Sequence, residues 1–447
     1  RTNDNVCLYA ETRAEWLIAA QASFQQSLPV ATLYTNLPEA GVVRGLSETR
    51  AQVVITSHEL LPKFRSILAQ NKDNVKTIVF MENPIKRSDL TGFREDVRII
   101  SFEDVIALGA KSNNNLEPEA PGPNTPAIIM PTSGGAKAAI LTHGNMVATL
   151  NKFLYCLNPK PDDVYIAYLP LAHVLELLAE NIMLVVGLPV GYSSPKTFID
   201  TSTGVAKGSK GDATVLKPTV VCVVPAVLNA INKGIRSKVA LRGAFFSELV
   251  EFCYQYRLKW TRRGHDTPIM NKIIFSKFRA IVGGNLRVLL SGGAPLAPDA
   301  HDFVRTCLGI TLLQGYGLTE TCATACIPDG SDMSTARVGP PLQEGDIRLV
   351  NWEEGGYTVT DQQGPRGEII VGGGHVAKEY YKMPEKTDEE FFNDNGKRWF
   401  KTGDIGQMKS DGTIQIIDRK KDLVKLQGGE YVSLGKVESC LMTHPAV

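Results

Sequence analysis

The residues best suited to chemistry lie together at Gln314-Gly315-Tyr316-Gly317-Leu318-Thr319-Glu320-Thr321. Two glycines permit a tight turn and a close approach of backbone to a ligand. Tyr316 between them offers a flat face to a ring, and Thr319 and Glu320 add a hydroxyl and a carboxylate. An aromatic platform, a hydroxyl and an acid so close together suit a purine nucleotide whose phosphates carry Mg²⁺. That ion takes oxygen ligands and commonly only one or two carboxylates. On spacing alone the same residues read equally as a strand-to-loop turn with an exposed acid.

Four other stretches offer related chemistry. Thr132-Ser133-Gly134-Gly135-Ala136-Lys137 reads as a loop between a strand and a helix. Its backbone N–H groups, hydroxyls and Lys can cradle phosphate oxygens, although it lacks the G-x-x-x-x-G-K-[ST] spacing of the P-loop, and a plain loop is the competing reading. Tyr168-Leu169-Pro170-Leu171-Ala172-His173 puts a His just inside a helix behind a Pro-broken strand, a place where a lone His is usually structural. Ser291-Gly292-Gly293-Ala294-Pro295 ends a strand in small residues against which a flat ligand can lie. In Trp399-Phe400-Lys401-Thr402-Gly403-Asp404-Ile405-Gly406 a turn presents Asp404, either to two vicinal ribose hydroxyls or as a cap of the turn itself.

The elements that must position these residues are strands alternating with helices. Apolar runs at residues 6–10, 29–34, 51–56, 75–80 and 97–101 are separated by helical patterns, as in a parallel sheet covered on both faces. Residues 113–126 read as an exposed linker. A strand at residues 127–130 precedes the Thr132 loop, and a helical stretch is expected from Ala138 to about Leu157. Further buried strands fall at residues 164–171, 219–224, 286–290 and 310–313. Residues 236–282 are amphipathic, with Arg and Lys spaced among aromatics, and read as two helices about the turn Arg263-Gly264-His265-Asp266. Beyond residue 335 short strands and turns indicate a smaller β-rich part. The charged run Asp418-Arg419-Lys420-Lys421-Asp422 reads as a solvent-exposed hinge.

At 447 residues the chain exceeds one ordinary core, so two or three subdomains are expected. Forty Gly and 25 Pro favour a loop-rich α/β protein over a helical bundle. A net charge of +1 gives no electrostatic case for nucleic acid. The eight cysteines are scattered; Cys322 and Cys326 form the closest pair, with no second pair or His cluster to complete a zinc site, so reduced intracellular thiols are expected. The most apolar stretch, residues 175–190, is interrupted by Glu176, Glu180 and Asn181 and is short for a membrane span.

In order along the chain, these stretches resemble the motif series of the adenylate-forming superfamily. The resemblance runs through all of it and is strongest to eukaryotic long-chain fatty-acid–CoA ligases. It is carried by Glu11-Thr12-Arg13-Ala14-Glu15-Trp16, by YLPLAHVLEL from Tyr168, by Tyr192-Ser193-Ser194-Pro195 and Lys217-Pro218-Thr219, by NWEEGGY from Asn351 and by DRKKDLVKLQGGEYVS from Asp418. General similarity points on to the subgroup known for polyunsaturated acids such as arachidonate.

The resemblance implies an α/β adenylation fold over residues 1–417, a hinge at 418–422 and the start of a small C-terminal domain at 423–447. It implies that ATP and a long-chain fatty acid form acyl-AMP and pyrophosphate, and that CoA then displaces AMP. Thr132, Ser133, Gly134 and Lys137 would hold phosphates. Gly292, Gly293 and Ala294 would form one wall of the adenine site, with Gln314, Gly315, Tyr316 and Gly317 on the other. Thr319 would contact the α-phosphate, Glu320 would ligate Mg²⁺, and His173 would orient the acyl carboxylate. Asp404 and Arg419 would hold the ribose, and Gly428 and Gly429 would line the CoA path. Intracellular membranes are the implied location: the cytosolic face of the endoplasmic reticulum, mitochondrial outer membrane, peroxisome or lipid droplet, reached through a segment outside this chain.

Two departures from the pattern stand out. The family loop runs approximately T-S-G-S-T-G-x-P-K-G; here the interval from Thr132 to Lys137 is three residues shorter, with Ala136 for Pro and Ala138 for Gly. A hydroxyl pair and a glycine that would wrap the β- and γ-phosphates are lost. That leaves open a homologue which binds acyl chain or nucleotide without turnover. The chain also starts at Arg1 and stops at Val447 inside an apparent helix. Both ends read as cuts, and the lysine that the family needs for adenylation is expected beyond them.

Overall fold

A computed structural model describes residues 5–70, 74–112, 117–132, 137–343, 345–427 and 431–442. The chain forms two compact units. The first takes Arg1–Ala148, Tyr168–Leu178 and Ala377–Glu389; the second takes Thr149–Ala167, Ala179–Val376 and Glu390–Val447.

The first unit is built on an eight-stranded sheet. Its order is Glu379–Tyr380, Ala138–Thr142, Pro126–Pro131, Val30–Thr32, Val6–Tyr9, Val53–Ser57, Thr77–Met81, Arg98–Ser101. From Pro126–Pro131 onward the pairing is parallel, as the alternation of strands and helices predicts. Strands covered on both faces must be apolar throughout. Accordingly Cys7, Tyr9, Val54 and Ile78 pack with Leu46, Phe64 and Ile67 from the intervening helices in one buried cluster.

One expected element is different. Ala138–Thr142 is a strand, antiparallel to Pro126–Pro131, and the helix is His143–Leu157. Alanines at 138 and 139 suit a helix, but the cap lies farther on. Asn145 N–H donates to Thr142 Oγ1 at 3.2 Å while Thr142 N–H donates to Asn145 Oδ1 at 2.9 Å, a reciprocal cap that starts the helix after Thr142. The residues before it are then free to pair, Ile129 with Ile140 and Met130 with Ala139. The Thr132–Lys137 segment therefore joins two antiparallel strands, closed by Thr132 N–H to Lys137 O at 2.9 Å, and has no helix N-terminus behind it.

The second unit holds a five-stranded parallel sheet in the order Thr311–Gln314, Val288–Ser291, Val220–Val223, Tyr165–Ala167, Val190–Tyr192. It also contains the β-rich part expected after residue 335. There Asp346–Val350, Arg366–Gly372, Lys397–Met408 and Phe391–Asp394 form an antiparallel sheet, and Ile414–Arg419 pairs with Lys397–Met408. Leu423–Lys425 and Tyr431–Ser433 make a separate hairpin. The amphipathic region folds about its expected turn, with the helix Ala244–Thr261 before Arg263-Gly264-His265-Asp266 and helical segments from Pro268 to Val282 after it; a further helix, Pro225–Ala240, starts earlier, where Pro225 suits a first helical position. No helix among the described residues is long and apolar enough to cross a membrane, and Cys7, Cys156, Cys222, Cys253, Cys307, Cys322 and Cys326 are free thiols.

Candidate active site

In the second unit the strands Val288–Ser291 and Thr311–Gln314 run parallel, with Ser291 level with Gln314, so both deliver their following loops at the same sheet edge. Gly315 N–H donates to Ser291 O at 2.8 Å, which holds the two loops side by side, and Gly292 N–H donates to Val223 O at 3.2 Å, which ties the first loop to the neighbouring strand. Ser291 and Gln314 are buried, and Ser291 Oγ and Gln314 Oε1 have no hydrogen-bond partner among the described residues. Buried polar atoms are rarely left unpaired without a reason. The loop that follows Ser291 exposes Gly293 and Ala294.

After Gln314 the chain doubles back. Tyr316 pairs with Cys326 through N–H to O contacts of 2.9 and 3.0 Å. Gly317 is needed for this return, since a Cβ there would lie 2.0 Å from Ala323 O. Gly317→Ala is expected to cost about 1–3 kcal/mol of stability through forced backbone shifts, read as a lower urea midpoint with an unchanged slope. The turn Thr319–Thr321 follows, with Thr319 and Glu320 buried.

Asp404 comes to this loop from far along the chain. Tyr316 Oη donates to Asp404 Oδ2 at 2.6 Å, and Arg419 Nε lies 3.3 Å from Asp404 Oδ1. Tyr316 itself is half-buried, so part of its side chain stays open to a stacking partner. Burial raises both acids: Tyr316 well above the ordinary phenol value, and Asp404 above the usual carboxylate range. The Tyr316 hydrogen bond and the Arg419 charge pull Asp404 the other way.

The expected turn around Asp404 is a strand. Asp404 sits inside Lys397–Met408. The Thr-Gly-Asp signal marks an irregularity in the ladder: pairing with Arg366–Gly372 shifts between Glu368 and Ile370, and Gly403 takes φ +72°. Thr402 Oγ1 donates to Ile369 O at 2.7 Å and accepts Asp404 N–H at 3.0 Å. A bulge of this kind re-aims one side chain; here it is Asp404. The charged run that follows is less solvated than expected. Asp418 bonds Ser433, Arg419 faces Asp404, and Lys420 Nζ meets Glu368 at 2.6 Å.

The first unit holds the other expected residues. Thr132 is buried. Lys137 Nζ donates to Tyr380 Oη at 3.0 Å and lies 4.3 Å from the Tyr380 ring centre, a partner too distant in sequence for any local pattern to reveal. His173 stands just before the helix Val174–Val186, not inside it, and its Nδ1 accepts Leu175 N–H at 3.2 Å. Burial lowers its pKa. The neutral ring therefore carries its proton on Nε2, which makes that nitrogen a donor. Ser133, Gly134, Gly428 and Gly429 lie outside the described residues.

Loops at the carboxyl ends of parallel strands are where open α/β folds bind their ligands. The chain belongs to the AMP-binding enzyme family, which it matches over residues 1–381. It is similar to long chain acyl-CoA synthetase 8 of Arabidopsis thaliana, 44% identical, covering 98% of this chain and 62% of that protein. It is similar also to long-chain-fatty-acid–CoA ligase 2 of Schizosaccharomyces pombe, 36% identical, with 98% and 64% covered. The chain thus spans less than two thirds of the length of these relatives. Among solved structures, the adenylation domain of a carboxylate reductase from Mycobacterium chelonae superposes with a TM-score of 0.76 at 23% identity, covering 99% of this chain and 65% of that one. That likeness establishes the fold.

Proposed function

We propose that this chain is the adenylating part of a long-chain fatty-acid–CoA ligase. In such an enzyme the fatty carboxylate attacks the α-phosphorus of ATP, giving acyl-AMP and pyrophosphate. The CoA thiol then attacks the acyl carbon and releases AMP. The observation that carries the reading is the 44% and 36% identity, over nearly the whole chain, to relatives named for that activity. The Tyr316–Asp404–Arg419 group beside the small residues at 292–294 supports it.

Adenine would lie between residues 292–294 and the Tyr316 ring, with Ser291 Oγ or Gln314 Oε1 available to its amino edge. Asp404, steadied by Tyr316 and Arg419, would accept from the ribose hydroxyls. Thr319 would donate to the α-phosphate, and Lys137 would neutralise phosphate charge. His173 Nε2–H would orient the fatty carboxylate. No group of three His, Cys, Asp or Glu that could hold a metal occurs among the described residues. Mg²⁺ carried by nucleotide phosphates asks for only one or two carboxylates, and Glu320 would supply one. When bound, the ion would offset charge on the phosphates during displacement. Residues 418–422 would be the pivot for a second, CoA-using arrangement with Gly428 and Gly429 on the thiol's path; turning there must exchange the contacts of Asp418, Arg419 and Lys420. Preference for polyunsaturated acids, and residence on intracellular membranes, are finer parts of the same proposal and rest on general similarity.

The test is an assay of the protein extended to its natural ends, with ATP, Mg²⁺, CoA and a long-chain fatty acid. Fatty-acid-dependent release of AMP and pyrophosphate with acyl-CoA is the expected result. Nucleotide binding without product would instead favour the non-catalytic homologue, the reading that the shortened Thr132–Lys137 loop supports. In an active protein, Glu320→Gln is expected to slow acyl-AMP formation roughly a hundred- to thousand-fold while leaving the melting temperature in place. Unchanged Mg²⁺ dependence in that variant would remove Glu320 from the role.

A further inference from the structure

The helix Ala244–Thr261 carries apolar side chains on its outer face as well as its inner one. Its inner face buries Val250, Cys253, Tyr254 and Leu258. On the outside, Phe245 is 84% exposed and Phe252 63%, with Leu249 and Tyr256 exposed beside them. These four positions are spaced 4, 3 and 4 residues apart and fall on one stripe of the helix. Leu241, just before the helix, is 87% exposed and extends the stripe. Large aromatics left in water cost free energy, and a contiguous apolar patch marks a surface that meets something else.

The surrounding charge indicates what that is. Residues 225–279 contain eleven Lys and Arg against three Asp and Glu, in a chain whose net charge is only +1. Exposed Lys238 and Arg242 flank one end of the stripe, and Lys259 and Arg263 flank the other, where Arg262 is already paired with Asp302 at 2.5 Å. Arg263 lies 5.7 Å from the ring centre of half-buried Trp260, so an aromatic and a cation sit together at that end. Glu248 and Glu251 lie off the stripe. An apolar stripe with aromatics, bracketed by cations, is the pattern of a helix that lies in the plane of an anionic bilayer, its apolar side in the acyl boundary and its cations at the headgroups.

We propose that this face docks the protein onto an anionic lipid surface, independently of any anchoring segment elsewhere. Phe245, Leu249, Phe252 and Tyr256 enter the acyl boundary, and the cations at both ends meet lipid phosphates and carboxylates. The experiment is co-sedimentation of the chain with phosphatidylcholine–phosphatidylserine vesicles and with pure phosphatidylcholine vesicles, without nucleotide or CoA, so the outcome does not depend on catalysis. Binding is expected to the mixed vesicles, at least ~tenfold weaker to the neutral ones and weakened by salt. The double variant Phe245→Ser/Phe252→Ser is expected to lower partitioning by at least ~tenfold with an unchanged melting temperature, since both side chains are exposed. Lys238→Glu/Arg242→Glu is expected to lower binding to the mixed vesicles alone. Equal binding to both vesicle types, or binding untouched by the serine variants, overturns the proposal. So does a dimer in analytical ultracentrifugation that the serine variants dissolve while no vesicle binding is seen, because the stripe would then join two copies of the chain.

Discussion

Inserting three residues between Gly134 and Gly135, two of them Ser and Thr, is expected to tighten ATP binding roughly a hundred- to ten-thousand-fold. The family pattern places a hydroxyl pair and an additional glycine in that interval, and this chain has neither. A hydrogen bond to a charged oxygen contributes ~1.5–3 kcal/mol, so two restored bonds supply ~3–6 kcal/mol. The flanks can accept the insertion. Thr132 and Lys137 already close the hairpin through their backbones, and Lys137 is held in place by Tyr380. AMP serves as the control because it lacks the β- and γ-phosphates. Calorimetric titration should show ATP affinity rising while AMP affinity stays within about twofold, the range of ordinary context effects on such contacts. A gain for both nucleotides would mean that the insertion repairs the fold in general. No gain for either would leave the short loop without a part in phosphate binding.

The parallel core of the first unit was legible because its strands are apolar on both faces and are spaced by helical runs, a pattern that local sequence records. The strand Ala138–Thr142 was not. Its alanines carry helical propensity, and the deciding signal was the reciprocal Thr142–Asn145 cap, which lies downstream of the residues it governs. The stretch around Asp404 misled in a similar way. Thr-Gly-Asp is turn chemistry in isolation, yet here it marks an irregularity in a long strand whose neighbours come from residues 366–372 and 414–419.

The residue types of the candidate site were legible; their partners were not. Tyr316 and Asp404 are 88 positions apart, and no periodicity joins them, so the hydrogen bond that positions both emerges only once the loop after Gln314 meets the strand Lys397–Met408. Lys137 and Tyr380 make the same point across 243 positions. The burial that raises Asp404 is likewise a property of packing.

Replacing Glu180 by Gln is expected to remove a loss of stability that the unchanged protein suffers as pH rises toward 8. Glu180 lies in the helix Val174–Val186 and is fully buried. Tyr192 Oη donates to its Oε2 at 2.9 Å, while Oε1 has no partner among the described residues. Burial pushes its carboxyl from the usual 4.5 up to about 8, against the smaller opposite pull of Tyr192. Below pH 4.5 both folded and unfolded chains hold this proton and the group is silent. Between 4.5 and 8 the unfolded chain releases it and the folded one keeps it, so each pH unit costs the folded state about 1.4 kcal/mol. Above 8 both are ionised and the loss stops growing. Gln fills the same space and still accepts from Tyr192, but has nothing to ionise. Buried histidines do not imitate this behaviour. His301 and His375 are lowered by burial, to about 4 and about 3, so they stabilise the fold progressively as pH rises to the ordinary 6.5 and add nothing beyond it. Across the window from pH 6.5 to 8 these histidines are silent, and the difference between the unchanged protein and Glu180→Gln separates this carboxyl from Asp404, which burial also raises. Urea unfolding should show the unchanged protein losing about 2 kcal/mol across that window and Glu180→Gln holding nearly level. Equal slopes in the two proteins would assign the loss to groups other than Glu180.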